Sequence, residues 1–406
     1  MNPLVPRTAY IDFLQRHREQ PIIKVVSGVR RCGKSTLFAL YRKQLQKEGV
    51  PAENILSINL EDLAYDSLRD YHVLYQYITE HLSPHGMNYV FLDEIQQVPQ
   101  FERAVDSLFI KENVDLYLTG SNGYFMSGEL ATLLAGRYVE LKMLPLSFKE
   151  FCSGLPESQQ QHSNGQKYTL YLENGSFPYL LHLLGRPEAV QEYLSGIYNT
   201  ILLKDTLTRL RVGEPKILES IMKYVTANIG SLISPTKIAN TLTSSGRKTN
   251  YKTVERYLQG LQDSLLLYQV ERYDVRGKKL LQTNVKYYLV DPVFRRFLVS
   301  DTGRDTEHIL ENEVYLELVR RGGKVYVGQI GVGEVDFVVE KNGTKEYYQV
   351  AESTLSPAVL ERELAPLQKI DDQYPKFLLT LDEITPQANY GGIRKYNVLA
   401  WMLGEV

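Results

Sequence analysis

Residues 27–36 read SGVRRCGKST. They follow an apolar run, PIIKVV (21–26), and precede LFALYRKQLQ (37–46), whose apolar residues recur at helical spacing. Gly28-x-x-x-x-Gly33-Lys34-Ser35 fills every fixed position of a phosphate-binding loop, with a strand before it and a helix after it. The glycines let the backbone wrap around phosphates, and amides of the loop and helix N-terminus then point at negative charge. Gly28, Arg31, Cys32, Gly33, Lys34, Ser35 and Thr36 are the expected nucleotide cradle. Lys34 is expected to reach the β- and γ-phosphates and Ser35 to ligate Mg2+. The bland alternative is a chance basic turn, and a second motif downstream weighs against it.

That motif is YVFLDEI (89–95), an apolar run ending in Asp93 and Glu94. Asp93 is suited to holding Mg2+ and Glu94 to polarising an attacking water. Alone, the pair could equally be a strand ending in solvated acids. A carboxylate base favours transfer to water over transfer to a small molecule, so a kinase reading falls behind. The next apolar run, LYLTGSN (116–122), ends in Thr119, Ser121 and Asn122. These polar groups suit sensing the γ-phosphate or holding the water, although a plain strand-to-turn transition also explains them. Arg137, in AGRYVEL (135–141), could neutralise charge in the transition state from a neighbouring subunit, or could be a surface arginine. Arg30, inside the loop, could contact phosphate or a partner.

The 406 residues exceed one ordinary core, so two or three domains are expected. The apolar fraction of 43% and charged fraction of 23% are those of a globular protein. No run approaches the length of a membrane-spanning helix, and the N-terminus lacks the apolar core of a secretory signal. With only Cys32 and Cys152, the expectation is a cytoplasmic, disulfide-free protein with no membrane partner.

Five short apolar runs, IIKVVSG, NILSINL, NYVFLDEI, VDLYLTGS and YVELKML, alternate with helical patterns. That alternation predicts an α/β fold with a parallel sheet buried on both faces. Helical patterns continue from about Lys167 to Arg211. Residues 214–267 then carry a three-helix rhythm, in which Ser234 caps a helix that has Pro235 in its first turn. Two strands follow around the basic turn Arg276-Gly277-Lys278-Lys279. Between Thr236 and Lys279 nine Lys/Arg face four acids. The segment therefore carries +5 in a chain of net charge −2, which leaves about −7 elsewhere.

The order of phosphate loop, DE-ended strand, TGSN, GRYVEL, PLSFKEF (145–151) and GSFPYLL (175–181) resembles the AAA-type P-loop ATPases of bacteria and archaea that carry an appended C-terminal domain of unknown function. The resemblance spans essentially the whole chain. It implies ATP and Mg2+ as cofactors and a homo-oligomer, at least a transient one. Ser176 stands where a second glycine is more usual. The all-α segment takes the place of the AAA lid, with Arg186, Arg209 and Arg211 as candidate phosphate sensors. The expected organisation is a P-loop AAA-type ATPase core over 1–160, a helical lid-like segment over 161–211 and a winged helix-turn-helix over 212–300. A restriction-endonuclease-like domain, expected to be inactive, occupies 301–406.

A winged helix would present Lys252 and Arg256 from its third helix, and Arg276, Lys278 and Lys279 from its wing, to double-stranded DNA. It could instead dock a protein partner. Residues 307–352 resemble the restriction-endonuclease-like fold, with Glu311 or Glu313 and Asp336 at two metal-binding posts. At the third post stand Gln349, Val350 and Ala351, so an acid and a lysine are both missing. The leading expectation is Mg2+-dependent ATP hydrolysis that controls a nucleic-acid- or protein-binding C-terminal half. An ATP-gated interaction switch with negligible turnover, or an ATP-regulated nuclease, are the alternatives.

Overall fold

The computed structural model describes residues 4–120, 134, 136–207, 214–299 and 306–406. Two compact units emerge. One comprises Leu4–Pro145 with Asp263–Leu265, and the other Leu146–Gln262 with Leu266–Val406.

The first unit is built on a parallel sheet of five strands: β1 (Ile23–Gly28), β2 (Ile55–Asn59), β3 (Asn88–Asp93), β4 (Val114–Gly120) and β5 (Tyr138–Met143). Their spatial order is β2-β3-β4-β1-β5, and every pairing is parallel. These are the five runs that the sequence marks as strands. They read as continuous apolar stretches because both faces of the sheet are covered. On one face Ile23, Val25, Val90, Leu92, Leu116 and Leu118 pack into a core with Leu74, Val105 and Leu108. On the other, Phe91 and Tyr117 stack with ring centroids 4.6 Å apart beneath Phe38 and Tyr41 of the helix Lys34–Lys47. Strand alternation thus sends neighbouring residues of β3 and β4 to opposite layers.

The second unit opens with helices Phe148–Gly154, Asn164–Asn174 and Pro187–Asn199. Ser176 is buried, and both its amide (2.6 Å) and its hydroxyl (2.7 Å) donate to Oδ2 of Asp291. The serine therefore supplies a hydrogen bond that glycine could not. Helices Pro215–Ala227, Pro235–Ser244 and Tyr251–Asp263 follow, with Ser234 accepting from the Lys237 amide as the sequence predicts.

The remaining strands form one mixed sheet: β6 (Leu267–Asp274), β7 (Lys279–Leu289), β8 (Lys324–Ile330), β9 (Gly333–Lys341), β10 (Thr344–Ala351), β11 (Lys376–Thr380), β12 (Gln387–Tyr390) and β13 (Ile393–Asn397). Their order is β12-β13-β11-β10-β9-β8-β6-β7. The sequence reading sets the hairpin β6–β7 in the segment 212–300, apart from 301–406, whereas the structure puts strands of both in one sheet. Arg272, Tyr273 and Asp274 pair in parallel with Val327, Gly328 and Gln329, and the Val275 amide donates to the Gln329 carbonyl (3.0 Å). The hairpin β12–β13 was not expected. Its strands are short and half polar, and only the Gly391-Gly392 pair signals the turn. Among the described residues no helix is long and apolar enough to cross a membrane.

A buried ion pair crosses the first unit's sheet from β1 to β4. Lys24 Nζ donates to Asp115, which also accepts from the Tyr117 hydroxyl (2.7 Å) and the Glu19 amide (2.9 Å). Replacing Asp115 with Ala strands the Lys24 ammonium in the core, which is expected to cost about 3–5 kcal/mol. The double replacement Lys24→Met/Asp115→Leu is expected to recover most of that loss. Denaturant titration of both variants checks the pair.

Candidate functional site

The phosphate loop leaves the C-terminal end of β1 and turns into the helix Lys34–Lys47. A Cβ on Gly28 would stand 2.4 Å from the Met143 carbonyl oxygen and 2.8 Å from Cys32 Sγ, so only glycine fits where the loop crosses β5. Gly33 has a φ of 104°, open to glycine, and its carbonyl accepts the Leu37 amide at the helix start. Arg31 also has positive φ, at 65°. Cys32 is fully buried beneath the loop, and burial pushes its thiol up, so it acts as packing rather than as a nucleophile. Arg31, Ser35 and Thr36 are exposed on the outer side.

Lys34 is 4% exposed and folds back over the loop. Its Nζ donates to the carbonyls of Gly28 (3.0 Å) and Val29 (3.4 Å) and lies 3.6 Å from Glu94 Oε1. Glu94 ends β3 in the left-handed region, φ 55° and ψ 47°, a conformation a side-chain-bearing residue keeps only when its surroundings enforce it. The Gln97 amide donates to the Glu94 carbonyl (3.0 Å), the Gln96 side-chain amide to its carboxylate, and a third contact comes from Thr119, at the end of β4. Its hydroxyl accepts the Glu94 amide (2.9 Å) and donates to Asp93 Oδ1. Asp93 is also hydrogen-bonded to the Ser35 side chain. Burial raises the Asp93 carboxyl above its ordinary value, and the Ser35 and Thr119 hydroxyls only partly oppose this.

A cation beside Asp93 would relieve that desolvation. The donors gathered there, a carboxylate and a serine hydroxyl, are hard oxygens of the kind magnesium takes, so Ser35 and Asp93 fit the ion.

The structure thus brings together Gly28, Gly33, Lys34, Ser35, Asp93, Glu94 and Thr119. Arg137 is not among them. It precedes β5 at the opposite edge of the sheet, since Ile23 pairs with Tyr138 there while Gly28 pairs with Met143 at the loop. Five residues of strand separate the two edges, about 17 Å. Its guanidinium, half exposed, lies 3.6 Å from Asp106 and over the Phe109 ring. Arg30 is engaged by Glu61 at 3.0 Å. Ser121, Asn122, Arg209 and Arg211 lie outside the described residues. Arg186 donates to the His182 carbonyl.

In the second unit, the helix Thr306–Arg321 settles which glutamate faces Asp336. Glu313 turns toward Tyr171, whose hydroxyl donates to it at 3.2 Å, and burial pushes its carboxyl up to about 8. Glu311 faces the other way, into a cluster with Asp336 and Glu334 of β9. At its centre is a lysine that the sequence reading missed. Lys286 of β7 is 4% exposed, and its Nζ lies 2.8 Å from Glu311, 2.6 Å from Glu334 and 4.0 Å from Asp336. Burial alone would pull this ammonium down, but the three carboxylates hold it above its ordinary value. Gln349 donates to Glu363 (2.9 Å), and the Val350 amide donates to Asp336 (2.9 Å). Among the described residues no group of three or more His, Cys, Asp or Glu is arranged to hold a metal ion.

Of the basic residues singled out in the second unit, Lys252, Arg256, Arg276, Lys278 and Lys279 are exposed. Arg272 is tied to Gln329 (2.6 Å) and Arg247 to Ser220.

A five-stranded parallel sheet with a glycine-cradled loop, a buried lysine and a DE-ended strand at one edge defines a P-loop NTPase of the AAA type. Residues 20–152 match the AAA domain family and residues 165–305 a domain of unknown function (DUF8612). An uncharacterized protein of Haemophilus influenzae is 38% identical over 98% of this chain and 99% of its own. One of Methanocaldococcus jannaschii is 30% identical over 86% of this chain and 78% of its own. The solved Walker-type ATPase of Pyrococcus abyssi superposes with a TM-score of 0.51 at 18% identity, covering 72% of this chain and 95% of that one. The chain belongs to the AAA-type P-loop ATPase family that carries an appended C-terminal domain of unknown function.

Replacing Lys286 with Met leaves Glu311 and Asp336 buried without their cation. A loss of about 3–5 kcal/mol is expected, with Lys286→Arg milder. Chemical denaturation followed by a probe in the second unit reads it.

Proposed function

We propose that the first unit binds ATP with Mg2+ and hydrolyses it, and that the nucleotide state controls a binding surface carried by the second unit. The observation that carries this reading is the convergence of Lys34, Glu94, Asp93 and Thr119 on one edge of the sheet, beside the glycine-cradled loop. When phosphates enter the cradle, Lys34 exchanges Glu94 for the β- and γ-phosphate oxygens. Glu94, released from Lys34, serves as the base that takes a proton from water. Ser35 and Asp93 hold Mg2+, which supplies charge neutralisation on the phosphate oxygens. The Thr119 hydroxyl keeps Asp93 and Glu94 in fixed relation while this exchange occurs. Arg137, at the far edge of its own sheet, serves only if a second copy brings it to a neighbouring loop, and Asn122 is the proposed γ-phosphate sensor.

The second unit is read as a module that binds without cutting. The Lys286 ammonium stands among the carboxylates that would otherwise share a divalent cation. On the strand where an acid and a lysine are needed, Gln349 is engaged by Glu363, and Ala351 cannot move a proton. The favoured ligand is double-stranded DNA. Three helices followed by a basic hairpin give the order of a winged helix, and Lys252, Arg256, Arg276, Lys278 and Lys279 are the cations available to phosphates.

Nucleotide and DNA measurements test the proposal. Lys34→Ala is expected to abolish nucleotide binding, measured with a fluorescent ATP analogue. Glu94→Gln is expected to keep binding and lower kcat by about 10²- to 10⁴-fold. Wild-type activity per subunit should rise with protein concentration, and Arg137→Ala should lower kcat without changing nucleotide affinity. Turnover that is negligible at every concentration would instead favour an ATP-gated switch. For DNA, five phosphate contacts predict a slope of about −4.5 in log affinity against log salt. Lys278→Ala/Lys279→Ala should reduce the slope by about 2. A duplex that binds the variant and the wild type alike at all salt concentrations would point to a protein ligand.

A further inference from the structure

Arg7 is 3% exposed, lies well before the phosphate loop in sequence and belongs to no motif described above. Its Nη1 donates to the carbonyl of Cys32, inside the loop, at 3.2 Å. Its Nη2 donates to the carbonyls of Leu144 (2.7 Å) and Pro145 (3.5 Å), just beyond β5. The guanidinium lies over the Tyr10 ring, 4.7 Å from its centroid, and the Tyr10 hydroxyl accepts the Leu144 amide at 3.2 Å. One buried cation therefore joins the nucleotide loop to the two residues at which the chain leaves the first unit. Leu146, the next residue, belongs to the second unit, where its amide donates to the Ser176 carbonyl (2.8 Å) and its carbonyl accepts from the Tyr171 hydroxyl (3.0 Å) and Arg320 (3.2 Å).

We propose that Arg7 is a positioning residue that fixes the Cys32 carbonyl of the phosphate loop and transmits loop movement on nucleotide binding to the exit at Leu144–Pro145. The inference rests on the ATP-binding reading and names the route by which the nucleotide state leaves the first unit. The chemistry requires arginine. Its planar fork reaches carbonyls on two segments at once, whereas a lysine ammonium is a point donor on a flexible stem and cannot hold both in one geometry. The neighbouring fit is equally strict, since the Gly28 Cα hydrogens already meet the Met143 carbonyl. A shift of the loop is therefore felt at the end of β5 through two independent contacts. Arg7 governs the one that continues past the strand.

The test is hydrogen–deuterium exchange on the full chain with and without saturating MgATP, for wild type, Arg7→Lys and Arg7→Met, with nucleotide affinity measured in parallel. In the wild type, nucleotide should slow exchange in peptides covering residues 28–36 and 143–146. Arg7→Lys should weaken ATP binding by about tenfold, keep loop protection at saturation, and lose most of the protection at 143–146. Arg7→Met serves as the stronger lesion, and Arg7→Lys keeps the test valid if that variant does not fold. Equal exit protection in Arg7→Lys and wild type overturns the proposal. So does wild-type loop protection without exit protection, and both of these leave the ATP-binding reading standing. A wild type whose loop is not protected at all brings down both.

Discussion

Thr119 sits at the end of β4, next to the end of β3, and its single hydroxyl is both donor and acceptor. It accepts the Glu94 amide and donates to the Asp93 carboxylate, so one group ties the backbone of one acid to the side chain of its neighbour. Glu94 keeps its φ of 55° with that acceptor on its amide, the Gln97 amide on its carbonyl (3.0 Å) and the Gln96 side-chain amide on its carboxylate, which faces Lys34. The position of Lys34 depends in turn on the loop carbonyls of Gly28 and Val29, and the loop depends on Gly28 lying against β5. The nucleotide end of the sheet is therefore a chain of dependencies that runs through backbone atoms and one hydroxyl, on strands buried on both faces.

Three of the buried lysines show how geometry separates structural from exchangeable charge. Lys24 and Asp115 are both inaccessible and are closed by further hydrogen bonds to Asp115. Lys286 has carboxylates at 2.6 and 2.8 Å. Lys34 and Glu94 stand 3.6 Å apart, with the lysine already satisfied by two carbonyls. Coulomb attraction rises steeply as distance and effective dielectric fall, and removing one partner of a tight buried pair strands the other. The first two pairs are thus permanent parts of their cores. The third is the loosest of the three, as the proposed exchange of Glu94 for phosphate requires.

The sheet of the first unit was legible because its strands are short, apolar and separated by helical patterns, and because the loop motif carries its own context. Lys34, Asp93 and Glu94 were legible for the same reason: strand ends at one edge of a parallel sheet converge by topology. Arg7 and Lys286 were not. Arg7 acts on main-chain carbonyls, which have no sequence signature. Lys286 lies on β7, outside the segment that carries its acidic partners, so no local spacing links them. The Glu311 and Glu313 alternatives differ by two positions on a helix that is buried on several sides, and helical periodicity alone could not decide between them. The hairpin β6–β7 looked separate because its union with β8 rests on three paired residues.

Any coupling between nucleotide and ligand requires that ATP bind two arrangements of the protein with different affinity, and the shift cannot exceed that difference. The nucleotide loop is far in sequence from the residues proposed to meet DNA, and backbone that belongs to the first unit and leads out of it is one carrier of such a difference. The chain offers such backbone at two places. One is Leu144–Pro145, gripped by Arg7. The other is Asp263–Leu265, which groups with the first unit although the helix before it and the strand after it belong to the second. Leu265 there is buried and holds a φ of 61°, a conformation that stores strain in a non-glycine residue. A buried residue in the left-handed region thus stands at one place where the chain leaves the first unit, and carbonyls held by a buried arginine at the other.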